Sequence, residues 1–321
     1  SDNDKIIVLP QSSGTLLGID VLTGKSFWKV TAGENFESEL YFEKQQILFS
    51  TSKLRDDSEI AASLSLVSVN TDSGIANQIG SKEILESTDQ VFVLTDEEKI
   101  LIIDRQKGAV IAVDKTSQKA VWTRELEVEI STEPRLSDSR LYLGTANKSI
   151  VVLSTENGAT LNQIPIGKKP SSLFLEQKVL FVGDTFGGAY AIETSGLREI
   201  WKTKTGGEIT EIVPFNRFLL VSSNDNYEYA ILRATGKKIW KRKLAGRILG
   251  KTIIDDEILV LFTHGNNIAL FIDLTDGKIV NRIAIPNGQY FVSPPIYLKN
   301  RVITPTNVGL VAYSPSQCSA N

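Results

Sequence analysis

Residues 15–28 read TLLGIDVLTGKSFW: an apolar stretch, an aspartate, a Thr-Gly turn and a short segment closing on tryptophan. Leu16, Leu17, Ile19 and Val21 put apolar side chains on both faces of an extended strand, the pattern of strands covered on both sides. The Asp20 carboxylate is placed to accept hydrogen bonds from amides of the following turn. Gly24 supplies the positive φ that a tight reversal needs. Trp28 is a large plate suited to filling the gap between packed sheets.

The same phrase recurs down the chain. Aligned on the position eight residues after Asp20, the column reads Trp28, Gln78, Trp122, Asn162, Trp201, Trp240 and Asn281, at spacings of 50, 44, 40, 39, 39 and 41 residues. The chain has four tryptophans and all fall in this column, which assigns Trp28, Trp122, Trp201 and Trp240 to packing between successive copies rather than to ligand capture. The turn column four residues earlier reads Gly24, Gly74, Gln118, Gly158, Leu197 (beside Gly196), Gly236 and Gly277. One more interval of 41 from Gly277 lands on Cys318, so seven copies run through their last strand and an eighth breaks off.

Between turns lie short apolar runs. In the fifth copy they fall at 172–175, 179–183, 189–192 and 199–202; in the sixth at 210–214, 218–221, 229–232 and 238–242. Short strands this closely spaced, with no long amphipathic helical stretch, predict an all-β fold. Four strands per copy of about 40 residues predict an eight-bladed β-propeller of antiparallel blades, a single domain over residues 1–321. Seven blades is the count if the two chain ends share one sheet. Before Gly24 there is room for strands at 5–10 and 15–21 only. After Asn281 strands are expected at 291–297, 301–304 and 310–314. The chain is therefore expected to continue upstream of Ser1. The long first interval places an extended polar loop at 50–62, STSKLRDDSEIAA.

The composition is that of an ordinary globular protein, 41% hydrophobic and 23% charged. A net charge of −3 gives no basic footprint for a nucleic-acid partner. A lone cysteine, Cys318, excludes an intrachain disulfide and a cysteine-only metal site. Apolar runs such as 258–262 are far shorter than the roughly 18 residues of a transmembrane helix.

With GIDVLTGKSFW, AVDKTSQKAVW, AIETSGLREIW, ILRATGKKIW and FIDLTDGKIV in view, the chain resembles the quinoprotein-like (PQQ-type) β-propeller repeat family over nearly its whole length. The quinoprotein dehydrogenases of that family are about twice as long and use an adjacent cysteine pair that this chain lacks. It is most similar to the lipoprotein subunit family of the outer-membrane β-barrel assembly machinery, which has eight such blades and no cofactor. That resemblance implies a non-catalytic interaction scaffold in the periplasm, anchored to the outer membrane by a lipid upstream of residue 1, with an outer-membrane assembly β-barrel protein as partner. The family's Arg-containing partner loop corresponds to residues 123–134, which do not match it. The alternative is a quinoprotein-type enzyme, or a quinone- or sugar-binding propeller, using its central funnel.

Candidate chemistry is sparse. His264, the one histidine, stands in a THGNN turn, where a nucleophile–histidine–aspartate triad would have to recruit it. The acidic pairs Asp56–Asp57, Glu97–Glu98 and Asp255–Asp256 lack the alternating ligands of a calcium loop. No catalytic, cofactor or metal residues are therefore assigned. The one charge cluster is Lys237, Lys238, Lys241, Arg242, Lys243 and Arg247 around Trp240. On an exposed edge such lysines hinder stray strand pairing; as a basic patch they would meet an acidic partner or anionic headgroups.

Overall fold

The computed structural model describes residues 6–11, 14–33, 35–36, 40–43, 45–54, 62–82, 91–264 and 266–314. The chain divides into two compact units, Ser1–Gly167 and Lys168–Asn321. The described residues form eight antiparallel sheets and no helix.

The first unit holds four sheets. The first is Ile6–Gln11, Thr15–Asp20 and Ser26–Thr31. The second pairs Gln46–Leu54, Ala62–Asn70 and Ala76–Lys82, with the short strands Asn35–Phe36 and Tyr41–Glu43 both on Gln46–Leu54. The third is Val91–Thr95, Lys99–Asp104, Ala109–Asp114 and Ala120–Glu125. The fourth is Arg135–Ser137, Arg140–Thr145, Ser149–Ser154 and Thr160–Pro165.

The second unit also holds four. The fifth sheet is Pro170–Glu176, Val179–Asp184, Gly188–Glu193 and Arg198–Lys204; the sixth is Ile209–Phe215, Phe218–Ser223, Tyr227–Leu232 and Lys238–Lys243. The seventh is Ile248–Ile254, Ile258–Thr263, Ile268–Asp273 and Ile279–Ala284; the eighth is Ile296–Leu298, Arg301–Thr306 and Gly309–Tyr313. Successive up-and-down meanders of this size, one per copy, are a β-propeller fold.

Burial follows strand position. In the third to sixth sheets the second and third strands are covered on both faces, as in Ser149–Ser154 where all six residues are buried, whereas the fourth strand Thr160–Pro165 is almost wholly exposed. Apolar clusters join consecutive sheets: Leu220, Ala230 and Trp240 of the sixth pack with Leu259, Leu261 and Ile272 of the seventh.

Two expectations need correcting. Residues 291–297 do not form one strand: only Ile296–Leu298 does, with Phe291 in an isolated bridge to Thr306. Pro294 and Pro295 lack the amide hydrogens a ladder needs. The fourth sheet repeats this, with an Ile130–Thr145 bridge, Pro134 and the three-residue strand Arg135–Ser137. The 50–62 insertion is not simply a loop. Its flanks extend a hairpin with Leu54 opposite Ala62, because the apolar-polar alternation of ASLSLVSV carries on the strand period. Residues 55–61, with Asp56–Asp57, and Cys318 lie outside the described residues.

The repeated turn is built as the sequence implies. Asp20 Oδ1 accepts from the Leu22 and Thr23 amides (3.1 and 2.7 Å) and from the Thr23 hydroxyl (2.8 Å). Asn70 accepts from the corresponding groups of Asp72 and Ser73. After each turn the register shifts by one residue between third and fourth strands, as where Ala230 faces Trp240 but Ile231 faces Lys238. Such a bulge twists the strand and re-aims its side chains. The residue just before the column is turned outward, and Phe27, Val121, Leu161, Ile200, Ile239 and Val280 are exposed.

Each indole docks on the next copy. The ring N–H of Trp28 donates to the Thr71 carbonyl (2.8 Å), Trp122 to Thr155 (2.9 Å), Trp201 to Arg233 (2.6 Å) and Trp240 to Leu274 (2.8 Å). The ring face lies on the turn glycine of that same copy. A Cβ on Gly236 would sit 2.6 Å from the Trp201 ring, and one on Gly277 2.6 Å from the Trp240 ring. Where the preceding copy carries Gln78 or Asn162 instead of tryptophan, the following turn has Gln118 or Leu197, at φ 55 and 53. The glycine thus answers two demands, backbone and indole, and is dispensable when only the first applies. Gly236→Ala is accordingly expected to destabilise by about 1–3 kcal/mol through overpacking, and Gln118→Gly to stabilise by up to about 1 kcal/mol by relieving the left-handed backbone. Urea midpoints of the two variants check the opposite signs.

Candidate functional surface

The sixth sheet ends in KIWKRK, residues Lys238–Lys243, an edge strand paired only to Tyr227–Leu232. Its alternation sends Trp240 towards the seventh sheet and sets Lys241 and Lys243 opposite Tyr229 and Tyr227. The six basic residues grouped by the sequence differ in their surroundings. Lys237, Lys238, Lys241 and Lys243 are exposed, but Arg242 is half-buried and its Nε donates to the Gly277 carbonyl. Arg247 lies beyond the strand, where its carbonyl accepts from the His264 amide (2.9 Å).

The structure instead joins Lys238 and Lys241 with Lys204, which sequence reading missed. These three, with Thr205, Gly206, Tyr229, Ile239 and Trp240, line an open depression of about 560 Å³. A signal was present: WKTK at Trp201 and WKRK at Trp240 put lysine one and three places after the indole in consecutive copies. Lys202 stands over the Tyr190 ring (4.7 Å to the centroid), as Lys241 stands over Tyr227 (4.8 Å) and Lys238 over Tyr229 (5.9 Å). These are cation–π contacts that orient the ammonium groups without neutralising them.

A carboxylate bonded to two lining residues of the depression is already engaged. Asp225 Oδ2 accepts from the Tyr229 hydroxyl (2.5 Å) and the Gly206 amide (2.9 Å), and Oδ1 from the Tyr227 amide (3.1 Å). Burial, followed by the hydrogen bond to Asp225, pushes the Tyr229 phenol up to about 12, so it stays protonated and donates at neutral pH. Among the described residues none of Lys204, Lys238 and Lys241 is within ion-pair distance of a carboxylate.

The remaining candidates are dispersed. His264 is exposed just after Ile258–Thr263, and among the described residues no serine or carboxylate is hydrogen-bonded to its ring. Asp255 and Asp256 form a positive-φ turn, where Asp255 accepts from the Tyr297 hydroxyl (2.9 Å). Glu98 pairs with its neighbour Lys99. Among the described residues no cluster of three His, Cys, Asp or Glu could hold a metal ion, and no helix is long and apolar enough to cross a membrane.

Several solved proteins share the fold. BamB from Moraxella catarrhalis matches with a TM-score of 0.70 at 16% identity, over 97% of this chain and 96% of that one. The computationally designed Ika8 protein matches with a TM-score of 0.75 at 13% identity, over 97% and 93%. Dihydro-heme d1 dehydrogenase NirN, solved in complex with DHE, gives 0.77 at 11% identity, over 98% of this chain and 71% of its own. At these identities the likeness is one of fold alone. No curated protein matches the chain in sequence. The profile of the family described as outer membrane protein assembly factor BamB, in contrast, matches residues 86–164, 163–290 and 198–317, well over half of the sequence. On that match, and with the repeat geometry that carries it, the chain belongs to the BamB family.

Proposed function

We infer that the chain, residues 1–321 taken as a single propeller domain, is a non-catalytic interaction scaffold in outer-membrane protein assembly. It works in the periplasm, held at the outer membrane by a lipid anchor, and its partner is an outer-membrane assembly β-barrel protein. The observation that carries this reading is the family match over residues 86–317. The structure adds a physical rationale. Four indoles tie each of their sheets to the turn of the next copy, so inter-strand loops are presented from firmly packed elements, the arrangement that suits recognition by loops.

The test is cross-linking of the purified full chain to detergent-solubilised outer membranes, followed by mass spectrometry. Recovery of an assembly β-barrel protein is the expected result. Absence of any protein partner, or a saturable thermal shift with PQQ and calcium, would overturn the reading in favour of a small-ligand or enzymatic propeller.

A further inference from the structure

The two compact units differ sharply in charge. Residues 1–167 carry 16 Lys and Arg against 25 Asp and Glu, a formal −9, whereas residues 168–321 carry 19 against 13, a formal +6. The modest total of −3 conceals this division. Within the positive unit the depression beside Lys238–Lys243 gathers three lysines that, among the described residues, have no carboxylate within ion-pair distance.

The geometry points to this depression as a docking groove for an acidic, extended peptide segment in which an apolar side chain is flanked by carboxylates. Three features select that occupant. Lys204, Lys238 and Lys241, without ion-pair partners among the described residues, supply positive charge from two different strands, Arg198–Lys204 and Lys238–Lys243, around one open depression. Ile239, 40% exposed, is turned outward by the bulge between Lys238 and Trp240, offering an apolar contact between cations. A phosphate or other small anion would leave that contact unused. Asp225, bonded to the Tyr229 hydroxyl and to the Gly206 and Tyr227 amides, is spent on those groups.

Recognition runs through side chains rather than through addition of a strand. The bulge between Ala230 and Ile231 and the lysines themselves spoil Lys238–Lys243 as a template for a further ladder. The groove is therefore a charge-selective site whose affinity falls with salt. It does not depend on the outer-membrane role inferred above.

Fluorescence anisotropy tests it, using the full chain and a labelled, end-blocked peptide of alternating glutamate and leucine. The peptide should bind at low salt, and Lys238→Glu with Lys241→Glu should weaken it about tenfold or more. A control pair with the same charge change elsewhere, Lys29→Glu with Lys148→Glu, should weaken it less than about twofold. Replacing the leucines of the peptide by serine should also weaken binding. All four variant positions lie on exposed surface, and matching melting curves establish that the folds are intact. No binding, equal weakening by the control pair, or displacement of the peptide by inorganic phosphate or phosphatidylglycerol vesicles at comparable concentration overturns the proposal.

Discussion

Lys251→Met is expected to cost the fold about 3–5 kcal/mol, the penalty for leaving one member of a buried ion pair behind. Lys251 lies on the first strand of the seventh sheet with its side chain 3% exposed, and reaches into the sixth sheet. Its Nζ donates to Glu228 Oε1 (2.8 Å) and to the Ser222 hydroxyl (2.7 Å), and lies 3.3 Å from Glu211 Oε2. The Ser222 hydroxyl in turn meets the other Glu228 oxygen (2.8 Å), and the Glu228 side chain is 0% exposed. Removing the ammonium would strand that carboxylate away from water. Lys251→Met combined with Glu228→Leu should recover most of the loss, since a buried pair and an apolar pair of similar volume are often close in stability. Urea midpoints at constant m-value separate the two outcomes.

The same pair sets an alkaline limit. Burial works against the charge on Lys251, but the carboxylates of Glu228 and Glu211 outweigh it and hold the ammonium above its ordinary value of 10.5. A raised lysine binds its proton more tightly in the folded state. Its stabilisation is complete below the ordinary value and is lost as pH rises through the raised one. The Lys251→Met variant should therefore show a flatter stability curve at the alkaline end than the parent chain.

Trp240→Ala is the second large effect, a loss of about 3–5 kcal/mol from emptying an aromatic site in the core. Trp240 is 8% exposed, packs with Leu244, Leu259, Leu261 and Ile272, and caps the Leu274 carbonyl. Trp240→Phe should keep most of the apolar contact and lose about 1 kcal/mol, the worth of one hydrogen bond. Equilibrium unfolding of both variants gives the ratio. Equal losses would mean that the ring contributes little beyond its N–H.

Much of this was legible in the residues. The column of tryptophans and the turn glycines set the period, and the apolar runs between them set the strand count per copy, because a packing role repeats wherever its environment repeats. What escaped reading were interactions without a period. Glu228 and Lys251 stand in different copies, and charges alternating with apolar residues along a strand read as solvent-facing. Here the adjoining sheet covers that face, and burial turns a polar position into an ion pair. Lys204 was passed over because its place beside Lys238 and Lys241 appears only when two strands from consecutive copies meet at one depression. The strand expected at 291–297 failed where two prolines outweighed an apolar run.

Because every tryptophan of the chain sits in a different seam, with its proton held by a carbonyl across that seam, the molecule carries its own set of gauges. Exchange of each indole hydrogen with deuterated solvent times the opening of one junction and no other. Local breathing can thus be mapped without attaching any label.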